Sequence, residues 1–243
     1  MQKYILALGA AVALCTAAHA DINGNPLTIT ATTLSGESVS WSLVPSAGQW
    51  SNGGQDWTYQ SGSGWSREFW HESEFLGRVS NLTVNLFGDP QVDVNFSIFG
   101  GAVPAVFTFS SALVSFAPIT GGTAQASAGI TVADVNGDGL SSMGSVNPGD
   151  PLYRANFNGL VPAGTNYASF FAGGFAAGLG GSTSDSLGPT FIPFAVTDIS
   201  AQFSFVLSPF DLASGTSTFQ IVPSPAGLGA IAAGLLLVGR RRR

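Results

Sequence analysis

The sequence predicts an all-β protein: an antiparallel two-sheet β-sandwich with jelly-roll-like wrapping, framed by an N-terminal signal helix and a C-terminal hydrophobic sorting helix. Three observations predict it. Apolar and polar residues alternate with a period of two through most of residues 21–220. The 32 glycines and 13 prolines punctuate those runs, as turns between short strands require. No stretch of the same region combines a 3.6-residue apolar period with capping residues. The domain limits that follow are 1–20 for a signal peptide, 21–220 for the sandwich and 221–243 for a sorting signal.

The strands are read in order. Leu27-Thr28-Ile29-Thr30 and Val39-Ser40-Trp41-Ser42-Leu43 alternate cleanly. Leu82 to Leu86 and Val92 to Ile98 alternate on either side of Gly88-Asp89-Pro90, which predicts two half-buried strands joined by a turn. Ala105 to Phe109, Leu113 to Phe116 and Ala128 to Ala133 read as three further strands, and Tyr153 to Phe157 and Tyr167 to Phe171 as shorter ones. Ala172 to Gly181 holds five glycines, which oppose a helix; it reads as a loop or a glycine-rich strand. Phe191 to Val196 contains Pro193 and so belongs at a sheet edge. Ile199 to Leu207 and Thr216 to Val222 complete a set of about ten short strands.

The two ends carry addresses. Lys3 precedes an apolar stretch from Tyr4 to Ala18, and Ala18-His19-Ala20 is a small-x-small cleavage pattern, so the mature chain is expected to begin at Asp21. Export through the general secretion machinery follows. The single cysteine, Cys15, falls inside this signal, which leaves the mature chain without disulfides or thiolate chemistry. At the other end, Val222-Pro223-Ser224-Pro225 precedes an apolar run of 14 residues, Ala226 to Gly239, and four arginines, Arg240, Arg241, Arg242 and Arg243. As a helix that run is about 21 Å long. A bilayer core is about 30 Å thick, so the run is short for a permanent anchor and suits transient inner-membrane association. The arginines hold their end on the cytoplasmic side.

Val222-Pro223-Ser224-Pro225, the apolar run and the arginine terminus together resemble the PEP-CTERM sorting domain of Gram-negative bacteria, with Ser224 where the commonest form has Glu. The resemblance covers about a tenth of the chain. It implies recognition and cleavage by an exosortase at the Pro-x-Pro element. It also implies display at the cell surface or in an extracellular polysaccharide matrix.

Removing both signals leaves Arg67, Arg78 and Arg154 against 14 acidic residues, a net charge of −11 where the full chain carries −6. An acidic body lacks the cations that nucleic acid demands of a partner. It suits a secreted protein kept apart from its neighbours by like charge.

Three clusters are candidate sites. All five tryptophans lie between Trp41 and Trp70, and Trp50, Trp57, Tyr59 and Trp65, set among glycines and serines, are the candidate glycan contacts, since flat rings stack on sugar faces. Trp41 alternates with Val39 and Leu43 and belongs to the core. Asp134-Val135-Asn136-Gly137-Asp138-Gly139 matches the first half of a Ca²⁺ loop, with Asp134, Asn136 and Asp138 as oxygen ligands and Gly139 at the turn. Ser145 stands where the bidentate Glu belongs, so the loop is a partial match, and a plain Asx-rich turn reads equally from it. Ca²⁺ is the one cofactor these residues suggest. His71-Glu72-Ser73-Glu74 could present Glu68, Trp70, Glu72 and Glu74 on one face of a strand. Paired carboxylates hydrolyse glycosides at the right spacing, but an acidic solvated face has the same pattern. No nucleophile elbow, phosphate loop or zinc motif accompanies it. The expected function is therefore non-catalytic: a structural or adhesive protein of an envelope or exopolysaccharide layer. A carbohydrate-binding module built on the tryptophan loops is the alternative, and a glycan-acting enzyme the remote one.

Overall fold

The computed structural model describes residues 21–223. The signal residues Ala18 and Ala20, and Ser224, Pro225 and Arg240 to Arg243 of the sorting motif, lie outside the described residues. Within them the chain forms fourteen strands, all paired antiparallel. In chain order these are β1 (Asp21–Thr33), β2 (Ser38–Leu43), β3 (Gln49–Ser51), β4 (Asp56–Gln60), β5 (Ser66–His71), β6 (Glu74–Phe87) and β7 (Gln91–Gly100). They continue with β8 (Ala105–Ala133), β9 (Ser141–Gly144), β10 (Tyr153–Phe157), β11 (Thr165–Phe170), β12 (Phe175–Ala177), β13 (Gly180–Leu207) and β14 (Leu212–Pro223). Among the described residues no helix is long and apolar enough to cross a membrane.

The strands form two facing layers, and two strands belong to both. The first half of β8 pairs with β1 on one side and with the second half of β13 on the other. β2 extends that layer beyond β1, and β10 and β11 extend it beyond β13. After Ser115 the second half of β8 pairs instead with β14 and with the first half of β13. From β14 the second layer continues through β7 and β6 to β4 and β3, with β5 on the near end of β6. The register between β8 and β13 shifts three times between Ile192 and Gln202, where the pair turns from one layer into the other.

This long pair is where the structure departs most from the expected short strands. The three runs read from Ala105 to Ala133 are one strand of 29 residues, and β13 has 28. Pro118, Gly121 and Gly122 interrupt the alternation, yet they bend the ladder without ending it. Bends and bulges of this kind are how a strand changes sheet at a sandwich corner. Phe191 to Val196 does sit at an edge: it pairs with β8 alone, and Pro193 has no partner in the register. The glycine-rich stretch contributes β12 and the first two residues of β13.

Alternation fixes the faces. In β7, Val92, Val94, Phe96 and Ile98 point inward and are buried, while Asp93, Asn95 and Ser97 point outward. Phe96 meets Phe109 and Phe203 of the opposite layer, with ring centroids 3.8 and 5.3 Å away. Phe107 and Phe205 extend the aromatic centre. At the far end Tyr167 of β11 lies 5.4 Å from Phe219 of β14, and its hydroxyl donates to the Ala124 carbonyl at 2.5 Å.

Candidate functional site

The tryptophan cluster separates by burial. Trp57 is 0% exposed. Its Nε1 donates to the Pro45 carbonyl at 2.8 Å. Gly48 permits this closure, since a Cβ there would lie 2.3 Å from the Trp57 ring. Tyr59 and Trp65 are half-buried and lean together, 6.4 Å between centroids, with Trp41 5.7 Å beyond Trp65. Of the four candidate sugar contacts only Trp50, 47% exposed, offers a free ring face. The expectation for Trp57 is corrected: alternation in β4 turns it into the core, where it joins the buried hydrophobic cluster. Of the glycines and serines around it, Ser51 ends β3 and Gly53 and Gly54 belong to a short 3₁₀ turn, while Ser61 to Gly64 form the short turn between β4 and β5.

The acidic cluster is also rearranged. Glu72 and Ser73 form the two-residue turn between β5 and β6, with Glu72 at φ 52°. The strand face expected to carry Glu68, Trp70, Glu72 and Glu74 therefore ends at Trp70. Trp70, 49% exposed, packs 4.9 Å from Phe75, and its Nε1 donates to the Glu68 carboxylate at 2.9 Å.

In the Asp134 loop the side-chain oxygens face the loop's own amides. Asp134 accepts from Gly137 N–H at 2.7 Å and Gly139 N–H at 2.8 Å, and Asp138 accepts from Leu140 N–H at 2.8 Å. Asn136 accepts from Asp138 N–H and donates to the Pro209 carbonyl at 3.1 Å. These are Asx turns. Asp150 pairs with Arg154 at 3.2 Å and lies apart from the loop's hydrogen bonds. Among the described residues no three His, Cys, Asp or Glu side chains are grouped to hold a metal ion.

The feature that sequence reading missed is the outer face of the second layer, a concavity of ≈ 610 Å³. Register builds it from rows that cross the strands. One row runs Asn85, Asp93, Thr218, Ser127, Ser186; the next runs Thr83, Asn95, Thr216, Gly129, Ser184. Both continue onto β4 at Thr58 and Gln60, where a second concavity of ≈ 790 Å³ shares Thr83 and Asn85 with the first. Tyr59 borders this second part. The signal was present in the sequence as the polar half of each alternating strand. Only the pairing order, which joins residues up to 133 positions apart, assembles it into one surface.

The first layer carries a similar outer face with a different bonding state. There Thr28 bonds Ser42 at 3.0 Å, Thr30 bonds Ser40 at 2.8 Å, Thr108 bonds Ser204 at 3.1 Å and Gln202 donates to Ser110 at 2.8 Å. In the two rows of the concave face no side chain bonds another across the strands. Asp93 alone is engaged, accepting from Gln91 Nε2 at 2.9 Å along its own strand. Gly129 leaves the floor open between Thr216 and Ser184; a Cβ would come 3.2 Å from Thr216 Oγ1. The lining includes Asp93 and Asp185 and no cationic side chain.

No protein-family model matches this chain, and no curated protein matches its sequence. Among solved structures it is similar to the enzymatically active domain of tailspike protein 4 of bacteriophage CBA120, at 12% identity over 74% of this chain and 22% of that one, with a TM-score of 0.23. It is also similar to the structure of infectious bursal disease virus, Gt strain, at 10% identity over 92% of this chain and 63% of that one, with a TM-score of 0.19. The chain thus spans less than two thirds of the length of either. At these scores the likeness is too slight to bear on fold or function.

Proposed function

We propose that this chain is an exported, non-catalytic protein of the cell surface or extracellular matrix, delivered by the secretion machinery and released by exosortase cleavage at its C-terminal signal. The observation that carries the reading is the pair of broad outer faces, both built of hydroxyl and amide side chains on a rigid acidic body. Such faces suit a hydrated polymer layer and give little purchase to an anionic membrane or nucleic acid. The acidic cluster at Glu72 and the candidate Ca²⁺ loop at Asp134 fit the same reading. Glu72 sits in a hairpin turn, and the Asp134 oxygens bond their own backbone. The jelly-roll-like form of the sandwich belongs to this proposal and is supported by the way β8 and β13 wrap both layers.

The sorting signal adjoins the fold without a spacer. β14 remains paired with β8 as far as Pro223, opposite Gly122, and Val222 is exposed. The paired strand therefore ends at Pro223, the first proline of the Pro-x-Pro element on which a membrane-bound transpeptidase would act. The mass of the mature protein isolated from its own cells tests this. A chain beginning at Asp21 and ending near Pro225, in the matrix fraction, is expected. Retention of Arg240 to Arg243 on the surface protein would overturn it.

A further inference from the structure

We infer that the concave face of the second layer is a binding site for an extended, uncharged, hydroxyl-rich polymer, a neutral polysaccharide lying across the strands. The argument begins with hydrogen-bonding capacity. Each Ser or Thr hydroxyl offers one donor and two acceptor sites, and each Asn amide offers both kinds. On the first layer the Thr28–Ser42, Thr30–Ser40, Thr108–Ser204 and Ser110–Gln202 pairs spend that capacity on each other. On the second layer Thr83, Asn85, Asn95, Thr216, Thr218 and Ser127 keep it for what lies outside. Two faces of like composition thus differ in what they have left to offer.

Geometry selects the shape of the ligand. Neighbouring strands are about 4.8 Å apart, so the first row, from Ser186 of β13 to Thr58 of β4 and Gln49 of β3, presents a polar side chain at each such step for roughly 29 Å. A polymer laid across the strands meets donors and acceptors at regular intervals, whereas a compact ligand meets few. The floor is lowest at Gly129, where the row lacks a side chain between Thr216 and Ser184. Charge selects the chemistry. Asp93 and Asp185 line the face without a cation, so an anionic polymer is repelled while hydroxyls donate freely to the carboxylates. The face holds no exposed aromatic ring, so binding rests on many weak hydrogen bonds and grows with the length engaged.

The choice of a polysaccharide rests on the matrix role proposed above; the bonding contrast between the faces does not. The test is affinity electrophoresis of the mature protein in gels holding a neutral β-glucan, a neutral galactomannan or anionic alginate. At least one neutral polymer is expected to retard the wild type, and alginate is not. Retardation should weaken at least tenfold in Asn95→Ala/Thr216→Val, and likewise in Gly129→Asn, which fills the floor. Thr30→Val/Thr108→Val on the first layer is the control and should behave as wild type. Melting curves show that each variant is folded. No retardation by either neutral polymer overturns the inference, as does retardation by alginate alone or equal loss in the control. Localisation separates the two readings: a matrix protein that no neutral polymer retards removes this site and keeps the role. A retarded protein found outside the matrix keeps the site and removes the role.

Discussion

The ring of Phe96 lies flat on that of Phe109, centroids 3.8 Å apart and planes 12° from parallel, and so joins β7 of one layer to β8 of the other. The stack is possible because residue 215, beside it on β14, is glycine: a Cβ at that position would lie 2.6 Å from the Phe96 ring. Gly215→Ala should therefore destabilise the protein by about 1–3 kcal/mol through overpacking. Phe96→Ala, which empties the centre, should lose about 3–5 kcal/mol. Denaturant midpoints measure both. In Gly215→Ala/Phe96→Ala, where the missing ring yields space, the loss should fall short of the sum of the singles. Strict additivity would show that the two positions do not share the contact.

Trp57 is expected to be silent towards ligands and important to the fold. Its indole should be shielded from acrylamide, while Trp50 and Trp70 should be quenched. Trp57→Phe removes the bond to the Pro45 carbonyl and should lower stability by about 0.5–1.5 kcal/mol without changing polysaccharide retardation. Loss of retardation with stability intact would return Trp57 to the binding surface.

Glu37 follows β1 in a tight turn, where the Ser35 and Thr33 hydroxyls donate to its carboxylate at 2.5 Å each. These bonds lower its pKa from 4.5 to about 2. Because the folded value lies below the unfolded one, the stabilisation is in place above pH 4.5 and is lost as pH falls through about 2. Exposure to solvent confines the effect to the turn. An NMR titration of the Glu37 side chain should show a midpoint near 2, returning towards 4.5 in Thr33→Val/Ser35→Ala. An unchanged midpoint in that variant would remove the hydroxyls as the cause.

The Asp134 loop should behave as a self-capped turn. Asp134→Ala removes the acceptors for Gly137 and Gly139 N–H and should open residues 134–140 to proteolysis while the sheets remain folded. Excess Ca²⁺ should leave the melting temperature of the wild type unchanged. A rise that Asp134→Ala abolishes would establish a cation site, since a ligand of the native state alone must stabilise it.

Period-two alternation made the β class legible, along with the β6–β7 hairpin and the edge position of Pro193, because each depends on neighbours in sequence. Strand continuity was not legible. Pro118, Gly121 and Gly122 look like breaks, and only pairing on both flanks shows that they are bends. The tryptophans misled for a related reason: glycines around Trp57 suggest a loop, whereas Gly48 is there to admit the ring. The concave face escaped notice because Asn95, Thr216, Gly129 and Ser184 are distant in sequence and individually ordinary. Their meaning comes from register, which composition does not encode.

β14, the last strand among the described residues, lies between β7 and β8 in the middle of the second layer. A chain emerging from its N-terminus must hold that gap open until residues 212–223 arrive, with two unpaired strand edges facing each other across it. Completion of the body is thus tied to the arrival of its final dozen residues, and a premature stop anywhere before Leu212 leaves a split sheet and an aggregation hazard.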